Sequence, residues 1–485
     1  MNPLVLAVLV NLLFLIFRIF YVLLYPVDLS PEEAQYWDWS RRLDLSYYSK
    51  PPLVAYLNAL STAVMGNTEL GVRITPILMS FLLSLLIFFF TKRLFGEGAA
   101  LFASVVPNLF VGTAINSLLM TTDAPLLFFW GVAVVLIHRA LERNSPILWF
   151  LVGVSAGLAF LSKYTAVFLL PLTLLCMFLL KRDLLVSPLP YLSLLPALVL
   201  SLPVFVWNLN RGFVSFKHVS SLAGREASFP NLATAGEFLG GQLLLLSVAP
   251  FFFLLYGWWK AFREKEREHI FLTVYSLPVV LFFFLLSLRK EVYANWAGFA
   301  YFTGSILASY YLWRFFRRNP AGGTAVLLLS AFLTLLLHFT PLVDRLGLRR
   351  ILPPERDPVK VMVGWEKLGR EVSALYRGSE LLFSTAYQIS AELAFYVRGN
   401  PETFVFHTGR MTQYYLWREG LRRFRGRDAL FVSDSGLPRR VLKHFEDYRQ
   451  VGRVDVFWRG SRIKSFRIYR LTNFVGSFDE KPRGY

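Results

Sequence analysis

Long apolar runs separated by short charged stretches fill the first 340 residues of the chain, and beyond them the pattern changes. The runs fall near residues 3–25, 69–90, 97–115, 124–138, 146–162, 164–180, 187–207, 236–258, 270–288, 293–312 and 321–340. A helix crosses a hydrocarbon core of about 30 Å in roughly 20 residues. The runs therefore predict a membrane α-helical bundle of about eleven transmembrane helices, the shortest runs being marginal. The first run lacks a small-residue cleavage site and carries Arg18 in mid-span, which predicts a retained helix rather than a signal peptide. Past Pro341, LLFSTA (381–386), TFVFH (403–407), DALFVSD (428–434) and the pair 450–458 and 464–471 read as strands. Helical stretches at 386–397, 409–419 and 437–446 lie between them, so residues 341–485 predict a soluble α/β domain after a membrane domain over 1–340. PPERDP (353–358) reads as a linker.

Basic residues collect in alternate loops, at Lys92/Arg93, Arg139/Arg143, Lys181/Arg182, Lys260/Arg263/Lys265/Arg267 and Arg314/Arg317/Arg318, and the positive-inside rule places these in the cytoplasm. Residues 26–68, 116–123, 208–235, 289–292 and everything after 341 then share the outer side. Composition sharpens this picture. Of 485 residues 55% are hydrophobic, 46 are Phe, and the mean hydropathy is +0.48, which excludes a soluble protein. The net charge of +19 comes without a basic block or a nucleic-acid-binding motif, so anionic head groups and polyprenyl phosphates are the expected partners, not nucleic acid. The single cysteine, Cys176, lies in an apolar run and excludes a disulfide framework. No metal-ligand spacing, glycine-rich phosphate loop or Ser/His/Asp order stands out, and SDSG (433–436) reads as a turn, so no cofactor is expected and a divalent metal is not indicated.

The candidate chemistry gathers in DLSPEEAQYWDWSRRLDLSYYSKPPLVAY, residues 28–56. Asp28, Glu32, Glu33, Asp38 and Asp44 stand among Arg41, Arg42 and Lys50, interleaved with Tyr36, Trp37, Trp39, Tyr47 and Tyr48. Carboxylates, cations and aromatics at a membrane surface suit sugar–phosphate chemistry; the plain alternative is an amphipathic interfacial helix. Leu53–Met65 is too short to span and predicts a helix lying in the interface. Asp123, at the outer mouth of the fourth run, is either a used or paired ionisable group or, with Thr122, a helix N-cap. Lys163, in LSKYTAV, either snorkels to the interface or contacts a phosphate. WNLNRGFVSFKH (207–218) brings Asn208, Arg211, Lys217 and His218 to the same side, and RKEVYANW (289–296) adds Arg289, Lys290, Tyr293 and Trp296.

EEAQYWDWS, the following Tyr-Tyr-Ser-Lys-Pro-Pro and then TTDAP resemble the integral-membrane glycosyltransferases of the GT-C fold, in the branch of the bacterial aminoarabinose and galacturonic acid transferases that modify lipid A, relatives of the protein O-mannosyltransferases. WNLNRGFVSFKH and NWAGFAY (295–301) are similar to that branch too, and the resemblance covers residues 1 to about 310. It implies transfer of a sugar from a polyprenyl-phosphate donor to an outer-leaflet acceptor, lipid A foremost, with inversion, by a multi-pass protein of the bacterial inner membrane whose site and C-terminal domain are periplasmic. It implies catalytic roles for Glu32, Glu33 and Asp123. Lys50, Tyr47, Lys163 and Arg211 would hold the donor phosphate, and Tyr36, Asp28, Asn208, Lys217 and His218 would contact substrate. The family's leading Asp is Glu32 here, so Asp28 is an alternative for that role, and Gln35 stands where aminoarabinose enzymes often carry Arg. A protein O-mannosyltransferase-like enzyme and a lipid-linked sugar flippase are the alternative functions.

Overall fold

The computed structural model describes residues 2–223, 229–407, 409–478, 481–482 and 484; residues 224–228 of the expected outer segment 208–235 lie outside the described residues. Among the described residues six helices are long and apolar enough to cross a membrane: Pro3–Leu24, Glu69–Phe95, Asp123–Arg143, Pro190–Asn210, Arg267–Ser287 and Pro320–His338. A seventh crossing is added if Leu232–Leu245 and Ala249–Glu264, bent by 101° at their junction, count as one. The chain is a multi-pass membrane protein, but the expected count of about eleven spans is not met by continuous helices. Pro146–Ser162 and Tyr164–Leu180 are shorter apolar helices. The run at 97–115 divides into Glu97–Val105, the 3₁₀ turn Val106–Leu109 and Val111–Asn116. The run at 293–312 opens with the 3₁₀ segment Ala294–Ala300 before Tyr301–Arg318.

The breaks have local causes. Proline at position 107 enters the 3₁₀ turn, where its ring and missing N–H disfavour a continuing α-helix. Ser247 and Val248 take left-handed φ values of 55° and 62°, a region costly for a β-branched residue. The freed polar groups of the two breaks satisfy each other: Ser247 Oγ accepts from the Val111 N–H at 3.1 Å and donates to the Leu109 carbonyl at 3.2 Å. Irregular backbone at membrane depth is tolerated where protein covers it. Arg18, buried in the first helix, is satisfied in the same way by Asn108 at 2.8 Å and Ser80 at 3.2 Å.

The C-terminal part forms one five-stranded sheet of order β2-β1-β3-β5-β4, with β1 Leu381–Ser384, β2 Thr403–Val405, β3 Ala429–Ser433, β4 Asp447–Trp458 and β5 Ser461–Thr472. β1 runs parallel to β2 and β3, and β5 antiparallel to β3 and β4. All five strands fall on the strand-like stretches of the sequence. The expected helix at 386–397 is Tyr387–Tyr396, whereas 409–419 and 437–446 shrink to the single turns Gln413–Leu416 and Arg439–Leu442. PPERDP is no free linker: Asp357 is buried against Arg459 at 3.0 Å and the Trp458 indole at 2.9 Å. Helix Tyr387–Tyr396 docks on helix Pro31–Ser40, with Phe395 edge-on to Trp37 at 4.9 Å. The Tyr396 hydroxyl accepts from the Leu29 N–H at 2.7 Å and donates to Glu69 at 2.6 Å, so the sheet domain is bolted to the first loop.

Candidate active site

Helix Pro31–Ser40 starts at a capping box: the Ser30 hydroxyl accepts from the Glu33 N–H and the Glu33 carboxylate accepts from the Ser30 N–H at 2.9 Å. The same carboxylate, fully buried, takes two bonds from Arg73, each 2.9 Å, and one from the Met120 N–H at 3.0 Å. Burial pushes the Glu33 pKa up, but Arg73 and the N–H donors outweigh it and hold the group below the usual carboxylate range. Glu33, expected as catalytic, is thus the pin joining the first loop, helix Glu69–Phe95 and the turn before Asp123. Pinning Glu33 inward turns its neighbour Glu32 the other way, onto the helix face it shares with Gln35 and Tyr36 at i+3 and i+4.

That face lines a cavity of about 870 Å³. Lys50 reaches it from the turn before Pro51, a turn set by Tyr47, whose ring stacks on Trp39 at 4.5 Å and whose hydroxyl donates to the Trp39 carbonyl at 3.1 Å. Asp123 opens helix Asp123–Arg143, yet its carboxylate does not cap that helix. One oxygen accepts from Lys163 at 2.6 Å and the other from the Asn295 amide at 2.9 Å. Lys163, only 8% exposed at the end of helix Pro146–Ser162, points into the cavity rather than to the lipid interface. Burial and the nearby Lys163 lower the Lys50 pKa, and Glu32 and Asp123 oppose them, so these four side chains share one electrostatic site. His218, its ring 4.8 Å from Tyr48, closes one side, and Lys290, Tyr293 and Trp296 another.

Six of the twelve residues singled out from the sequence therefore meet at the cavity: Glu32, Tyr36, Lys50, Asp123, Lys163 and His218. The other six line none of it. Besides Glu33 and Tyr47, Asp28 accepts from the Trp365 N–H at 2.6 Å, and burial raises its pKa; it ties the loop to the sheet domain. Arg211 sits 3.5 Å from Asp44, which also takes the Trp207 indole N–H at 2.7 Å. Asn208 accepts from the Ser215 N–H at 3.0 Å, bracing the turn at 211–213, and Lys217 is exposed. Sequence reasoning missed the far wall, made by Tyr387, Gln388, Arg410, Met411 and Thr412 of the sheet domain. Their one signal was position, at the start of an expected helix and after a strand. Tyr387 shares the cavity with Glu32, and burial and that carboxylate raise its pKa. Among the described residues no three His, Cys, Asp or Glu side chains group as a metal site.

The polar cavity adjoins an apolar one of about 290 Å³, the two sharing Glu32, Thr121, Asp123 and Asn295. The second runs inward past Leu83, Ile87, Phe110 and Phe302. A charged chamber opening on a greasy slot inside a membrane bundle fits a lipid-linked anion.

Residues 49–207 match the family model described as dolichyl-phosphate-mannose-protein mannosyltransferase. The whole fold is similar to the crystal structure of ArnT from Cupriavidus metallidurans bound to undecaprenyl phosphate, with a TM-score of 0.68 over 96% of this chain and 97% of that one at 15% identity. A helical bundle, a sheet domain over one end and a charged cavity between them make up the fold of the GT-C integral-membrane glycosyltransferases, and the chain has that fold. The chain is 28% identical to the lipid A galacturonosyltransferase RgtD of Rhizobium johnstonii over 81% of this chain and 82% of that protein. It is 23% identical to an undecaprenyl phosphate-alpha-4-amino-4-deoxy-L-arabinose arabinosyl transferase of Proteus mirabilis, over 58% and 56% of the two chains.

Proposed function

We propose that this chain transfers a sugar from a polyprenyl-phosphate donor to lipid A, with its cavity and sheet domain on the periplasmic side of the bacterial inner membrane. The observation that carries the reading is the convergence of Glu32, Lys50, Asp123 and Lys163, from separate segments, on one cavity joined to an apolar slot. The apolar slot takes a lipid tail. Lys50 binds the donor phosphate and neutralises it as it leaves; a fixed cation in a water-poor site does this best. Lys163 and Asn295 hold Asp123 in place, and Glu32 faces the acceptor oxygen. That oxygen attacks the anomeric carbon, the bond from carbon to the phosphate oxygen breaks, and its electron pair leaves on the polyprenyl phosphate. The acceptor proton passes to Glu32 or Asp123; if the acceptor is itself a phosphate anion, no proton moves and the carboxylates orient it. One displacement inverts the anomeric centre. Tyr36 and Trp296 offer faces for the sugar to stack on.

Lipid A from cells with and without the gene, compared by mass spectrometry, tests the reading: a mass increment of one sugar that disappears with Glu32→Gln, Asp123→Asn and Lys50→Ala is expected. Each change should lower transfer by on the order of a hundredfold. An unchanged lipid A accompanied by sugar on secreted proteins would instead assign a protein acceptor. Wild-type transfer by all three variants would remove the cavity from the mechanism.

A further inference from the structure

A second cluster of cations lies away from the cavity that holds Lys50 and Asp123. Helix Tyr301–Arg318 begins at the apolar slot, which Tyr301 lines, and thirteen residues on to Arg314 carry it roughly 20 Å away, to its exposed basic end. There it crosses helix Ala249–Glu264, with Gly257 so close to Leu307 and Tyr311 that no Cβ would fit. The crossing leaves a crevice of about 450 Å³ with three cations, Lys260, Arg314 and Arg318, on an aromatic floor that includes Phe252, Tyr256 and Phe315. No carboxylate lines it. Lys260 donates to Glu264 on the next turn, and among the described residues Arg314 and Arg318 have no carboxylate at ion-pair distance. Two guanidiniums one helical turn apart, both exposed, present forks suited to phosphate oxygens.

The floor decides what kind of anion fits. Phe252 is 58% exposed, Tyr256 45%, Trp259 51% and Phe262 64%, so this helix turns a large apolar face outward to the acyl chains. A soluble phosphate has no use for such a floor; a phospholipid satisfies both parts. We propose that this crevice binds an anionic glycerophospholipid, its phosphodiester held by Arg314 and Arg318 with support from Lys260 and one chain lying over Phe252 and Phe315. The site is independent of the sugar-transfer reading.

The test uses the full chain in detergent, probed by native mass spectrometry and thermal melting with phosphatidylglycerol, phosphatidylcholine or inorganic phosphate. Phosphatidylglycerol should be retained and should raise the melting temperature, and neither of the others should. Arg314→Gln with Arg318→Gln should weaken that retention by on the order of tenfold or more, since each surface cation contributes about 1 kcal/mol toward an anionic lipid. Arg314→Lys with Arg318→Lys, which keeps the charge, should retain the lipid, and sugar transfer in lipid-free detergent should be unchanged in both variants. Equal retention of phosphatidylcholine, undiminished binding by the double glutamine variant, or stabilisation by inorganic phosphate alone would each overturn the proposal.

Discussion

Lys50 is where single-residue chemistry is most exposed to measurement. Burial and Lys163 lower its pKa from the ordinary 10.5, and the carboxylates of Glu32 and Asp123 oppose the shift. On the proposed reading the protonated form holds the donor phosphate, so donor binding should fall as pH rises through this lowered pKa, on the alkaline side but below 10.5. Stability runs the other way. A lysine whose pKa is lower folded than unfolded binds fewer protons in the fold, so raising pH through that window stabilises the protein. A pH profile of donor KM alongside melting curves separates the two trends, and Lys50→Arg should remove the alkaline limb because guanidinium stays charged. Asp123 and Lys163 were legible because a charge in or beside an apolar run is costly unless used, and Lys50 through the resemblance of its Tyr-Tyr-Ser-Lys-Pro-Pro run. Whether Glu32 or Glu33 faced the cavity was not legible. The two differ by one helical position, and the choice is made by Arg73, forty residues away.

At the scale of elements, that choice makes a prediction. Glu33→Gln leaves Arg73 buried without a countercharge, and should destabilise the protein by about 3–5 kcal/mol, read as a lower melting temperature in detergent. Glu33→Gln with Arg73→Met should cost less than Glu33→Gln alone, because no lone charge is left buried. The stability this pair supplies is present at neutral pH and is lost as pH falls through the depressed Glu33 pKa, below the ordinary 4.5. The sequence also offered an interfacial helix for the stretch 28–56, within which the structure has helix Pro31–Ser40. Eight of its ten residues are buried between bundle and sheet domain, an environment that residue pattern alone does not reveal. The broken runs make the same point. Hydropathy sums apolar length, while continuity depends on a proline at 107 and on left-handed backbone at 247 and 248, where the Ser247 side chain bonds across to the other break. Ser247→Ala, which deletes two of those bonds, should cost about 1–3 kcal/mol by the same melting measurement.

For the molecule as a whole, strands and apolar runs laid out the two-part architecture in advance, since both rest on local periodicity. The meeting of the parts did not, because charged residues on a soluble domain are ordinary. Arg410 is the example: exposed, on a connecting segment, and yet on the cavity wall. Arg410→Ala should raise KM for a substrate by about tenfold while leaving the melting temperature unchanged, the loss of one charge-assisted contact with an anionic ligand. A fall in melting temperature with unchanged KM would make Arg410 a structural residue instead.

The cavity wall built by Tyr387 and Arg410 carries a temporal consequence. Ribosomes make these positions after the crossing helices found among the described residues, the last of which ends at His338. A nascent bundle therefore holds Lys50 and Asp123 without this wall, so on the proposed reading it should not consume a polyprenyl-linked donor until the sheet domain has docked.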